Sequence, residues 1–80
     1  MTTPLPHRAL AMLRAVQAGR AELTDSSEPD LRVDGLACCD QAMARTLAHA
    51  GLVATAGAGP RGAWLPAVLT PTGEQALEAA

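Results

Sequence analysis

Aromatic side chains are nearly missing from this 80-residue chain: it has no Phe and no Tyr, and Trp64 is its one large ring. Apolar residues make up 49% of the sequence, but 18 of them are Ala. Little apolar area is therefore available to bury per residue, and stability should be modest. A chain of this length has room for one core, so 1–80 is expected to form a single domain. A homodimer would add burial that one copy lacks.

Other absences narrow the function. Lysine is absent, and all six basic residues are Arg. No apolar run approaches the roughly 18 residues needed to cross a bilayer, and the start MTTPLPHRAL lacks the charged-then-apolar pattern of a secretory signal. A cytoplasmic protein with no membrane attachment is expected. The two cysteines, Cys38 and Cys39, are adjacent. A bond between neighbours is strained and closes no useful loop, so free thiols are expected, as a reducing compartment would leave them. On a helix the two would point about 100° apart, and no C-x-x-C or H-x-x-x-H pair exists. Cys38, Cys39, Asp40, His49 and His7 therefore do not suggest a metal site, and no cofactor is expected. No nucleophile, base and orienter set and no paired carboxylates stand out, so the chain does not read as an enzyme. Gly57, Gly59 and Gly62 lack the Lys-Ser/Thr ending of a phosphate loop and fit a flexible turn better.

The formal charge is −2, which opposes nucleic-acid binding by bulk electrostatics. The distribution is uneven. Residues 1–20 hold three Arg and no acid, whereas 21–40 hold Glu22, Asp25, Glu28, Asp30, Asp34 and Asp40 against Arg32 alone. Residues 41–73 hold Arg45 and Arg61 and again no acid, and Glu74 and Glu78 close the chain.

Periodicity predicts three helices. Pro4 and Pro6 suit a helix start, with Thr3 as a cap, and Ala9, Met12, Leu13 and Val16 form an inward stripe opposite His7, Arg14 and Gln17. Residues 20–35 are turn-rich, with short strands at 22–24 and 30–33 that make either a hairpin or an exposed loop. A second helix over 37–50 stops at Gly51. Its inward stripe is Cys39, Met43, Leu47 and Ala50, which leaves Cys38, Gln41, Arg45 and Ala48 facing out, with Ala44 and His49 on the flanks. Strands at 52–55 and 63–69 flank a glycine-rich turn, and Pro66 predicts an edge or a bulge in the second. A last helix starts at Thr70 with Pro71 in its first turn, and Ala76 and Leu77 pack inward.

In this order, Leu47-Ala48-His49-Ala50-Gly51-Leu52-Val53 resembles the end of the recognition helix in winged-helix regulators. Leu69-Thr70-Pro71-Thr72-Gly73 resembles the junction that closes the wing in the MarR and PadR-like groups. The resemblance spans about residues 42–77 and implies a small α+β winged-helix-like domain: three helices, a C-terminal hairpin wing over 52–69, and a short N-terminal strand or hairpin. It also implies a transcription regulator reading double-stranded DNA, with helix 37–50 in the major groove. Carried over by position, Gln41, Arg45, Ala44 and Ala48 would face base edges or phosphates, and Arg61 would be the wing contact. The bland alternative for Gln41 and Arg45 is a solvated helix face, and for Arg61 a mobile surface charge. Trp64 is either a filler beneath the hairpin or, on the outward side, an anchor for a protein partner. The negative charge, and Ala54 and Thr55 where such regulators carry basic residues, motivate a second function: a winged-helix protein-interaction module that does not bind DNA.

Overall fold

A computed structural model describes residues 5–80, and the expectations for Thr3 and Pro4 lie outside them. The elements are α1 (His7–Gln17), β1 (Ala21–Thr24), β2 (Leu31–Val33), β3 (Leu36–Ala37), α2 (Gln41–His49), β4 (Val53–Thr55), β5 (Trp64–Leu69) and α3 (Pro71–Glu78). The five strands form one antiparallel sheet in the order β3-β2-β1-β5-β4. None of the described helices is long and apolar enough to cross a membrane.

One cluster holds the molecule together. Ala9, Met12, Leu13 and Val16 of α1 meet Ala21 and Leu23 of β1, Leu31 of β2, Ala44 and Leu47 of α2, and Ala67 of β5. Leu13, Leu23 and Leu31 are the largest fully buried side chains, so leucine fills the space that aromatics usually take. The α1 stripe is the one expected from its spacing. Strand residues alternate faces: Leu65, Ala67 and Leu69 share a side with the core, while Trp64, Pro66 and Val68 share the other with Glu22 and Arg32. All three helices pack against the first side.

The acidic segment resolves as a hairpin. Thr24 Oγ1 accepts from the Asp30 N–H at 2.8 Å, and Ala21, Glu22 and Leu23 pair with Val33, Arg32 and Leu31. A two-residue turn at Asp34 and Gly35, both at positive φ, then adds β3. Residue 37 therefore belongs to a strand, and the second helix begins four residues later than expected. Asp40 sets that start: its Oδ1 accepts from the Met43 N–H at 2.9 Å.

Pro66 departs from expectation. It lies on β5, which is flanked on both sides, and it registers with Glu22 of β1. Its carbonyl accepts from the Ala56 N–H at 2.8 Å. In an extended strand a residue's N–H and C=O face the same neighbour, so the missing donor points past the last paired residue of β4. The omission falls at the mouth of the hairpin and interrupts no ladder to β1.

The two motifs behind the family resemblance form a single lock. Gly51 ends α2 at φ 76°, a left-handed conformation that favours glycine. The Thr70 N–H donates to the Leu52 carbonyl at 3.1 Å, and Thr70 Oγ1 donates to the Gly51 carbonyl at 2.5 Å. The same hydroxyl caps α3 by accepting from the Gly73 N–H at 3.0 Å. Gly73 itself is buried, and a methyl group there would fall on the Leu52 carbonyl oxygen.

Candidate nucleic-acid interface

The face that would read DNA consists of α2 and the β4–β5 tip. The buried side of α2 matches the expected stripe at Met43 and Leu47 but not elsewhere. The inward residues are Ala44 and Leu47, with Gln41, Cys38, Met43 and Ala48 partly buried beside them, while Cys39 and Ala50 are exposed. The free thiols are thus placed oppositely to expectation: Cys38 packs against the core and Cys39 faces solvent, both ahead of the helix.

Gln41 is committed inside the protein. Its Oε1 accepts from the Leu31 N–H at 2.8 Å, and its Nε2 donates to the carbonyls of Leu31 at 2.9 Å and Cys38 at 2.8 Å. With all three contacts made, the amide clamps β2 to the start of α2 and is not presented to a base. Ala44 is only 1% exposed, and Ala48 is half-buried against the core. Neither offers the surface a base edge would need.

Arg45 is partly exposed, but its Nη2 lies 2.6 Å from Asp30 Oδ1. Its Nε is buried without a hydrogen-bond partner among the described residues. Beyond it, His49 Nε2 lies 2.9 Å from the Ser27 carbonyl and 3.7 Å from Glu28 Oε1. The acidic β1–β2 turn therefore lies along α2 and sets carboxylates beside Arg45 and His49. Of the two expected arginine contacts, Arg61, on the exposed 56–62 turn, has no carboxylate partner among the described residues.

The chain matches no known protein family, curated protein or solved structure.

The same pairing recurs across the surface. Arg8 meets Asp40 at 2.7 Å, Arg32 meets Glu22 at 2.7 Å and Arg20 meets Asp34 at 2.6 Å. Counting Arg45, four of the six arginines have a carboxylate, and Arg14 and Arg61 have none among the described residues. Hydrogen bonds from Arg20 hold the Asp34 carboxyl below its ordinary range, and Asp34 in turn raises Arg20. Arg32 also lies over Trp64, 4.3 Å from the ring centre. Trp64 thus sits half-buried on the sheet face away from the helices, not beneath the hairpin. Among the described residues, no three His, Cys, Asp or Glu side chains gather as a metal would require.

Sequence reasoning missed Ser27, Glu28 and Asp30 as neighbours of α2. Asp30 precedes Arg45 by fifteen positions, and no local spacing links them. Asp40 was findable: an Asp ahead of a helical pattern is a favoured cap.

Proposed function

We propose that this chain is a winged-helix-like protein-interaction module that acts without reading DNA. The order of elements supports the winged-helix part. A helix leads to β1, α2 precedes the β4–β5 hairpin, α3 follows it, and β1, β5 and β4 lie side by side. The β2–β3 unit occupies the place between the first helix and the recognition-like helix where such folds carry another helix.

The observation that carries the protein-contact part is Asp30 on Arg45 at 2.6 Å. A phosphate approaching α2 would have to displace that carboxylate, and would meet Glu28 beside His49 as well. Phosphate neutralisation supplies most non-specific DNA affinity, and here the cation on the helix is already neutralised. The face of the sheet opposite the helices, with Val68 41% exposed beside Pro66, and the 74% exposed Leu36 on β3 offer apolar surface of the kind protein contacts use.

The test is a titration of random duplex DNA across a salt series, with Arg45→Ala and Arg61→Ala in parallel. The expected result is no micromolar binding even at roughly 50 mM salt. Micromolar binding that weakens steeply with salt and falls in both variants would overturn this function in favour of a DNA-reading helix.

A further inference from the structure

Four of the six acids between residues 21 and 40 have an arginine partner, Glu22 with Arg32, Asp30 with Arg45, Asp34 with Arg20 and Asp40 with Arg8, and Glu28 lies 3.7 Å from His49 Nε2. Asp25 is the exception among the described residues. Its backbone is fixed, since its N–H donates to the Ala63 carbonyl at 2.9 Å and its carbonyl accepts from the Gly62 N–H at 2.8 Å. Its side chain has no hydrogen bond or ion pair with another described residue, although Arg61 stands next to Gly62 in sequence.

Asp25 lines a cavity of about 150 Å³ that opens between the β1–β2 turn, the C-terminal half of α2, and β4. Leu23, Pro29, Ala48 and Val53 contribute apolar atoms, and Thr24, Ser26 and Thr55 add hydroxyl groups, so the open lining is mixed and somewhat more polar than apolar. A cavity of about this volume accepts a molecule the size of benzene, so it has room for a long aliphatic side chain. A mixed lining that includes one residue with an unpaired carboxylate suits the stem and charged head of lysine or arginine.

The neighbouring backbone indicates how such a side chain would arrive. β4 is the last strand of the sheet. The Leu52 and Ala56 positions bond toward β5, so by alternation Val53 and Thr55 turn their N–H and C=O groups to the open side. No other described residue bonds to these groups. A segment pairing there would send alternate side chains toward the helix side of the sheet, where the cavity lies.

We propose that the β4 edge and the Asp25 cavity together take an extended segment of a partner protein, with one lysine or arginine side chain seated against Asp25. This rests on the protein-contact function proposed above and names the chemistry of the partner.

The experiment uses the whole chain labelled with 15N. The probe is a capped five-residue peptide of alternating Thr and Val with a central Arg, compared with the same peptide carrying a central Glu. The Arg peptide should shift the amides of 24–26, 48 and 53–55 with roughly millimolar affinity. The Glu peptide and the Asp25→Asn protein should each lose about tenfold. A well-dispersed Asp25→Asn spectrum shows that the variant is folded. Silence at those amides, equal shifts from the Glu peptide, or an unaltered Asp25→Asn affinity would each overturn the proposal. Duplex DNA added to the same sample separates the two ideas. Shifts along α2 and at Arg61 would remove the protein-contact function, whereas silence toward both DNA and peptide would remove the Asp25 site alone.

Discussion

The two hairpins of this protein are held in opposite ways. The β1–β2 hairpin is fixed along its length by side chains: Thr24 Oγ1 on the Asp30 N–H, Gln41 on both polar groups of Leu31, and Arg45 on Asp30. The β4–β5 hairpin is fixed at its base, where Thr70 and Gly73 seat on Gly51 and Leu52. Across its tip the contacts are backbone hydrogen bonds, among them Ala63 N–H to Pro60 and Gly62 N–H to Asp25, and a long Thr55 Oγ1 contact to Gly57. Charge has gone into positioning the first hairpin on α2, and almost none is present on the second. In this chain four of the six arginines pair with carboxylates of the same chain.

Four substitutions would break or sharpen that contrast. The largest effect is expected at the base of the second hairpin. Gly73→Ala forces a methyl group onto the Leu52 carbonyl, where backbone rather than a flexible side chain must yield. A loss of about 3 kcal/mol is expected, which lowers Tm by more than about 10 °C for a domain of this size. Thermal unfolding followed by circular dichroism measures it, and an unchanged Tm would show that the base is not the anchor.

Gln41→Ala should come second. It leaves the Leu31 N–H and the Cys38 carbonyl without their side-chain partner, with Leu31 itself only 2% exposed. The expected cost is about 2 kcal/mol in urea unfolding. Arg61→Ala at the opposite tip should stay within about 0.5 kcal/mol of the parent chain. Equal losses in the two variants would erase the difference between the hairpins.

The smallest effect concerns the Asp34–Gly35 turn. Arg20 holds the Asp34 carboxyl below its ordinary value, mainly by hydrogen bonding. A depressed carboxylate adds stability above its unfolded pKa and loses it as pH falls through the folded value, so whatever the pair contributes is present above about pH 4 and disappears below it. Arg20→Ala should move Asp34 up to the ordinary range in an NMR titration of its carboxyl carbon. Both groups are exposed, so stability at neutral pH should not change measurably.

Legibility in the sequence followed side-chain size. α1 was readable because Met12, Leu13 and Val16 mark one face beyond doubt. α2 was read correctly at Met43 and Leu47, which face the core, but wrongly at its other positions, because Ala42, Ala44, Ala48 and Ala50 surround them with the same small apolar residue. Gln41 looked outward because polar side chains usually are. Its burial depends on two backbone groups of β2 that arrive through tertiary pairing. Pro66 predicted an edge or a bulge by a sound general rule, but the rule concerns where the missing N–H points, and a central strand can meet it where its neighbour stops. The candidate site fared worst, since a charge partner distant in sequence leaves no trace in local spacing.

The lock between residues 51–52 and 70–73 also makes the second hairpin a closed excursion whose two ends meet on the same carbonyls. Chain added at its tip would open no gap in the core. Lengthening a loop already closed at its ends costs only about 0.6 kcal/mol per doubling. The 56–62 turn is therefore the natural place to graft a foreign sequence, carried on a stem that the rest of the domain already holds shut.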